Sequence, residues 1–444
     1  MRYRKFEYGI LFFGLALITA AFIVDTPSEI FSGIQKIILT EGTLITDYIA
    51  LAGTGASIVN AALVMMASIG LLMLSGDTPN GFTFAEAGLM LGFSFFGKNI
   101  ANIWPIILGT WLYSLYKKEP FSKYAGVSIL STALAPVVSF ICLYRLSVVS
   151  VAIGITAGII IGFLLPSLSS YTFKIQNGMN LYNMGFACGM LAMILVAVLR
   201  RFGMEDNSAD YWATGHNLPF GIALAIINIS LILIGTFGAS KKGKAAWKAY
   251  AALLKTSGRA PSDFVRMFGS APVLINMGIN GIVATVYILV TGGDLNGATI
   301  GGIITIIGFS AYGKHLLNIL PVMIGIALGD FLMLSRLNAP AMQLAGLFGT
   351  ALAPISGYFG WPYGILAGIL HSAVVLFAGT PIMGLNLYNN GFSAGILAMV
   401  LYPVLTSVAK NKKVVLQDKD YFDIFTHEEP IDTNANKKRT EKKE

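Results

Sequence analysis

Charge is what this sequence has least of. Asp, Glu, Lys and Arg make up 12% of its 444 residues, about half the ~25% of ordinary soluble chains. With 55% hydrophobic residues beside them, there is too little polar surface to cover a globule in water. Cysteine is scarcer still. Cys142 and Cys188 both lie in apolar sequence, which excludes a disulfide framework and a Cys-based metal site and reads as core packing. Histidine occurs four times; HExxH, CxxC and GxxxxGK[ST] are absent, and the single GxSxG match, Gly391 to Gly395, lies inside an apolar span rather than at a strand-to-helix turn. No metal-dependent, hydrolase or nucleotide-loop chemistry is announced by motif, and no cofactor or metal is expected.

Apolar runs are abundant instead, several reaching the ~18–20 residues that span a bilayer core. The expected fold class is an all-α polytopic membrane protein, since a membrane β-barrel reads as alternating segments of about ten residues. The formal net charge of +8 does not point to nucleic acid, because the basic residues sit between apolar spans, as cytoplasmic flanks do. The N-terminal run has a basic start but no clean small-x-small cleavage site, so it reads as a first transmembrane helix rather than a removed signal.

The chain repeats itself. GMNLYNMGFACGMLAM (178–193) and GLNLYNNGFSAGILAM (384–399) agree at eleven of sixteen positions. GFSFFGKNIANIWPIILG (92–109) returns as GFSAYGKHLLNILPVMIG (308–325), and TALAP (132–136) as TALAP (350–354). Asn60 and Lys98 recur at the same spacing as Asn276 and Lys314. The expected organisation is a first membrane repeat over 1–213, a second over 214–409 and a polar, charged cytoplasmic tail over 410–444. In each half a span is followed by an amphipathic stretch (28–50, 244–268), a second span (55–75, 271–290), a GK-containing segment (83–116, 299–332) and three more spans.

With the N-terminus cytoplasmic and each GK segment entering and leaving on one side, fourteen Lys and Arg fall in cytoplasmic loops against five outside, as the positive-inside rule requires. Arg2, Lys241, Lys242 and the Lys-rich tail belong to the cytoplasmic set. Each half then crosses five times. An odd number turns the second half upside down, and inverted repeats place transport sites near the midplane between halves.

The GK segments carry the sharpest hypothesis. Phe82 to Gly97 is too short to cross comfortably at ~1.5 Å per residue. A re-entrant hairpin fits, with a break at Gly97-Lys98, a helix resuming at Asn99, and a twin break at Gly313-Lys314 followed by His315. A lysine at mid-membrane costs at least ~2.5–3.5 kcal/mol and marks function by default. A bound anion would compensate both lysines, whereas the carboxylates at hand, Glu86 and Asp330, have no counterpart in the other half. The bland alternative is two full crossings whose lysines snorkel to opposite surfaces. Asn102 and Asn318 follow one helical turn after each lysine, on its face. Pro105 and Pro321 are expected to kink these helices, and Pro136 and Pro354 to bend the TALAP helices. Asn180 with Asn183, and Asn386 with Asn389, share a face at i,i+3; the alternative to a polar lining is helix capping. Gly185, Gly189, Gly391 and Gly395 form small-xxx-small stripes for close helix packing. His371, without a twin, reads as a hydrogen-bonded core residue before a proton relay.

The duplicated GK…N…P and NLYN.GF..G..AM pattern resembles an uncharacterised family of bacterial multi-pass membrane proteins in which a domain of unknown function occurs twice. The resemblance covers nearly all of the chain except the tail and implies an inner-membrane protein. A weaker, architectural resemblance is to urea transporters, with two inverted five-helix halves and re-entrant pore helices; their full signatures are absent here. The resulting expectation is a transporter or channel, not an enzyme, for a small polar or anionic solute. Its substrate contacts would be Lys98, Lys314, Asn102, Asn318, Asn180, Asn183, Asn386 and Asn389, its partners the lipid bilayer and that solute, and self-association into a homo-oligomer is compatible with the sequence. The rivals are an intramembrane enzyme built on His371 and Asp330, and a non-transporting assembly or sensor protein.

Overall fold

The computed structural model describes residues 4–205, 210–238, 243–333 and 336–412. The expectations placed on Arg2, Lys241, Lys242 and the tail beyond 412 lie outside the described residues. The first half runs α1 (Arg4–Val24), α2 (Pro27–Ile38), α3 (Tyr48–Ala52), α4 (Thr54–Ser75), α5 (Gly81–Gly92), α6 (Trp104–Lys117), α7 (Ala125–Ser131), α8 (Ala135–Tyr144), α9 (Val148–Gln176) and α10 (Asn183–Arg201). The second half repeats the list as α11 (Asn217–Leu233), α12 (Gly243–Leu253), α13 (Phe264–Phe268), α14 (Ser270–Val290), α15 (Gly297–Phe309), α16 (Leu316–Leu332), α17 (Pro340–Phe348), α18 (Ala353–Phe359), α19 (Trp361–Gly379) and α20 (Asn389–Lys412). Among the described residues there is no strand beyond two isolated bridges. Nine helical stretches there are long and apolar enough to cross a membrane, which makes the chain a membrane protein.

Local chemistry explains the boundaries. Thr26 and Glu29 form a capping box that starts α2 beside Pro27, satisfying donors that a helix start leaves open. Asn80 with Thr83 starts α5, and Asn296 with Thr299 starts α15, by the same reciprocal bonds. The TALAP prolines fall in the first turn of α8 and α18, each after a 3-10 turn that breaks the span. Pro105 likewise falls in the first turn of α6, where its missing N–H is not needed, so it starts the helix rather than kinking it. Pro321 does lie inside α16.

The outermost helices are α1, α9 and α11, whose apolar windows are only 22%, 28% and 17% buried. Phe12, Ile23, Val148 and Leu218 stand free on them, as side chains facing lipid do. The centre belongs to α5 against α15 and α10 against α20, both pairs drawn from opposite halves. A Cβ on Gly88 would lie 3.0 Å from Gly308 Cα, and one on Gly185 2.9 Å from Gly391 Cα. In the stripes read as small-xxx-small, Gly185 and Gly391 thus pack backbone on backbone, while Gly189 and Gly395 make room for the rings of Phe392 and Phe186.

Across this interface the polar contacts come in exchanged pairs. Asp47 caps its own α3 and also accepts from the N–H of Gly297 at the start of α15 (3.2 Å). Asp263 accepts from the N–H of Gly81 at the start of α5 (3.1 Å). Leu181 N–H donates to Ala351 O (3.0 Å) and Leu387 N–H to Ala133 O (3.1 Å). Leu44 N–H donates to Gly384 O (2.9 Å) and Ala260 N–H to Gly178 O (3.0 Å).

Gly97 has φ +95°, and a Cβ there would lie 2.2 Å from Leu387 Cδ2. Gly97→Ala should therefore lower stability by ~1–3 kcal/mol through left-handed strain and overlap. The readout is the apparent melting temperature of purified protein, with Gly9→Ala as control because nothing lies within 4 Å of that position. Equal melting temperatures would refute the constraint.

Candidate functional site: two buried lysines and a cavity between the halves

Each GK segment is broken. After α5 a single 3-10 turn (Phe93–Phe95) leads to extended Phe96 and to Gly97. Lys98 N–H returns to Phe93 O (3.1 Å), and helix resumes only at Trp104. The helix expected from Asn99 thus begins five residues later, after a run of turns. In the second half Lys314 N–H returns to Phe309 O (3.1 Å), and α16 begins directly at Leu316.

The freed backbone is satisfied by asparagines. Asn60, on α4, donates to Ser94 O (2.7 Å) and Lys98 O (3.0 Å) and accepts from Ile100 N–H (3.3 Å). Asn276, on α14, donates to Ser310 O and Lys314 O, both at 2.7 Å. Asn102 does not extend a helical stripe with Lys98. It closes the turn, accepting from Asn99 N–H (2.9 Å) and donating to Gly97 O and Ser139 Oγ (both 3.0 Å). Asn318 does the same one turn into α16, accepting from His315 N–H (2.9 Å) and donating to Gly313 O (2.8 Å). Non-helical backbone at membrane depth needs such partners.

The lysine side chains leave the break toward the opposite half. Lys98 Nζ donates to Tyr388 Oη at 2.6 Å and lies 3.3 Å from Met90 Sδ. Lys314 Nζ donates to Tyr182 Oη at 2.5 Å and Thr350 Oγ1 at 2.6 Å. Both are fully buried. Aromatic faces surround them: Lys98 Nζ is 4.7 Å from the Tyr388 ring centroid, and Lys314 Nζ 4.3 Å from that of Tyr182, within cation–π range. Phe93 and Phe309 take corresponding places at 5.8 and 5.4 Å. The ion pairs Lys123–Glu119 and Arg266–Asp263 do not involve these lysines. Glu86 is buried against Gly126, and Asp330 is buried with Oδ2 unpartnered.

The doubled NLYN motif supplies the matching tyrosines. Asn180 and Asn386 precede their helices rather than sharing a face with Asn183 and Asn389. Asn180 donates to Gly391 O (3.0 Å) and Asn386 to Gly185 O (3.1 Å), each fastening one half to the other. Asn183 donates to Ser169 O (3.0 Å) and accepts from Gln176 Nε2 (3.2 Å). Asn389 is buried with Oδ1 unpartnered. His371 Nε2 pairs with Asn390 Oδ1 at 3.0 Å, a hydrogen-bonded core histidine.

A cavity of about 420 Å³ opens between the halves, with Asn180, Tyr182, Asn183 and Tyr388 in its wall. Lys98 and Lys314 lie behind the two tyrosines. Asn102 faces a different space, a groove of about 1050 Å³ on the outer side of the first half, rimmed by Trp104 and Trp111. Asn318, Asn386 and Asn389 line neither. The eight residues expected to share one lining are therefore divided among break, interface and cavity. Tyr182, Tyr388, Asn60, Asn276, Asp47 and Asp263 were not among them, although each occurs in a twinned pair; that twinning was the available signal.

The chain belongs to the family described as protein of unknown function DUF1576, whose model matches it twice, over residues 26–201 and 242–407. No curated protein and no solved structure matches it.

Tyr388→Phe leaves Lys98 with only a thioether, whereas Tyr182→Phe leaves Lys314 its bond to Thr350. Tyr388→Phe should thus be the more destabilising, by ~1.5–3 kcal/mol for a bond to a charged group. Melting curves of the two variants compare them, and the reverse order would refute the partner assignment.

Proposed function

We propose that this DUF1576 protein is a transporter or channel for a small polar or anionic solute, with its pathway between two inverted repeats, each carrying a re-entrant GK hairpin. The observation that carries the reading is the exchanged lysine–tyrosine pair beside the cavity. Each half breaks its own helix to bring a lysine inward, and the other half supplies the tyrosine hydroxyl to which that lysine donates. A buried ammonium is costly in a membrane unless paired, and an anionic solute entering between the tyrosines would supply the missing charge. The placement in the cell inner membrane with cytoplasmic termini follows the basic loops. The partners on this reading are lipid and the solute, and the protein is not an enzyme. One observation favours a non-transporting assembly role instead: Asn102, Asn318, Asn180 and Asn386 all spend hydrogen bonds on backbone.

In reconstituted vesicles, Lys98→Met and Lys314→Met should each reduce solute flux at least about tenfold, the effect of ~1.4 kcal/mol or more on the pathway. Size-exclusion profiles confirm that the variants remain folded. Unchanged flux in both would remove the lysines from the pathway, and no flux of any solute in the parent would refute transport. Inversion has its own measurement. Lys118 and Arg336 are exposed in corresponding loops, after α6 and α16. With Cys142 and Cys188 replaced by Ala, an impermeant maleimide on intact cells should label Arg336→Cys and spare Lys118→Cys. Labelling of both from one side would sink the inverted arrangement.

A further inference from the structure

We infer that the central cavity is a site for an amphipathic organic anion, one with an aromatic or branched apolar body and a single acidic group; this rests on the transport reading above and narrows its substrate class. Size comes first. About 420 Å³ falls in the ~300–1,000 Å³ range of organic-ligand pockets, and an inorganic anion or a urea-sized molecule, at most a few times the ~30 Å³ of a water, would leave most of it empty. The walls come second. Phe82, Leu89, Val127, Leu130, Phe173 and Phe348 surround the space, and such walls give a hydrated ion nothing in return for its lost water.

The polar groups then fix the orientation. Tyr182 and Tyr388 are buried at the inner end, and each phenol oxygen is held by a lysine ammonium from the opposite half. The amides of Asn180 and Asn390 reach the same wall. Ser170 and Lys174 stand exposed at the mouth, where a cation draws anions toward an apolar funnel. The acidic group goes inward to the tyrosine–lysine pairs, and the apolar body fills the space between Phe82, Val127 and Phe173.

Three probes separate the components: benzenesulfonate, a permanently charged ring; benzenesulfonamide, its neutral isostere; and sulfate, the anion without a ring. Binding is read as the saturable rise in melting temperature of the full chain in lipid nanodiscs at constant ionic strength. Benzenesulfonate should bind at least about tenfold more tightly than either of the others. Val127→Trp, which fills a half-buried part of the wall, should weaken it at least about tenfold while the parent melting temperature is retained, and Lys98→Met should erase the preference for sulfonate over sulfonamide. Equal binding of the sulfonamide overturns the anionic end. Preference for sulfate overturns the apolar body. Undiminished binding to Val127→Trp places the site elsewhere and overturns the assignment. Flux of chloride or urea without benzenesulfonate binding overturns this inference and leaves the transport reading standing, whereas no binding and no flux of any solute overturns both.

Discussion

A helix interrupted inside a membrane leaves peptide groups that lipid cannot satisfy, and the centre of this protein is arranged around that obligation. Asn60 and Asn276 reach across from neighbouring spans to take the carbonyls on either side of each break. Asn102 and Asn318 close the turn from within. With the backbone satisfied, the left-handed glycine turns the chain so that the following lysine faces the other half. Without those amides the lysine would have no fixed position to occupy.

The second half is bound to the first by what it lends. It supplies Tyr388 to Lys98, Asp263 to the start of α5 and Leu387 to the hollow over Gly97, and it receives Tyr182, Asp47 and Leu181 in return. The twins are not identical in chemistry. Met90 lies beside Lys98 where Thr350 bonds Lys314, so one ammonium rests on a soft sulfur and the other on a hydroxyl.

Much of the architecture was legible in the sequence, because duplication and apolar run length are properties of the chain itself. The spans, the paired GK breaks and the glycine contacts between α10 and α20 all follow from spacing. The partners of the lysines were not legible, since they arise 290 and 132 residues away through an exchange that no helical periodicity records. For the same reason the asparagines of NLYN read as a lining when two of them are fasteners. A helix-face argument assumes a helix, and Asn102, Asn180 and Asn386 all stand just before one begins. Tyr182 and Tyr388 were hidden in plain view, since an aromatic inside an apolar motif looks like packing until its hydroxyl is placed.

The exchange also has a direction in time. A ribosome makes Lys98 long before Tyr388, 290 residues downstream; at ~5–20 residues per second that interval is on the order of 15–60 s. Through it the first half waits with its lysine and the hollow over Gly97 incomplete, while the α5 start is completed earlier, once Asp263 is made. Lys314 finds its tyrosine already made, because Tyr182 precedes it, and waits only 36 residues for Thr350. The nascent first half is therefore an unfinished object by design of its contacts, and the last hundred residues are what release it from the insertion machinery's care.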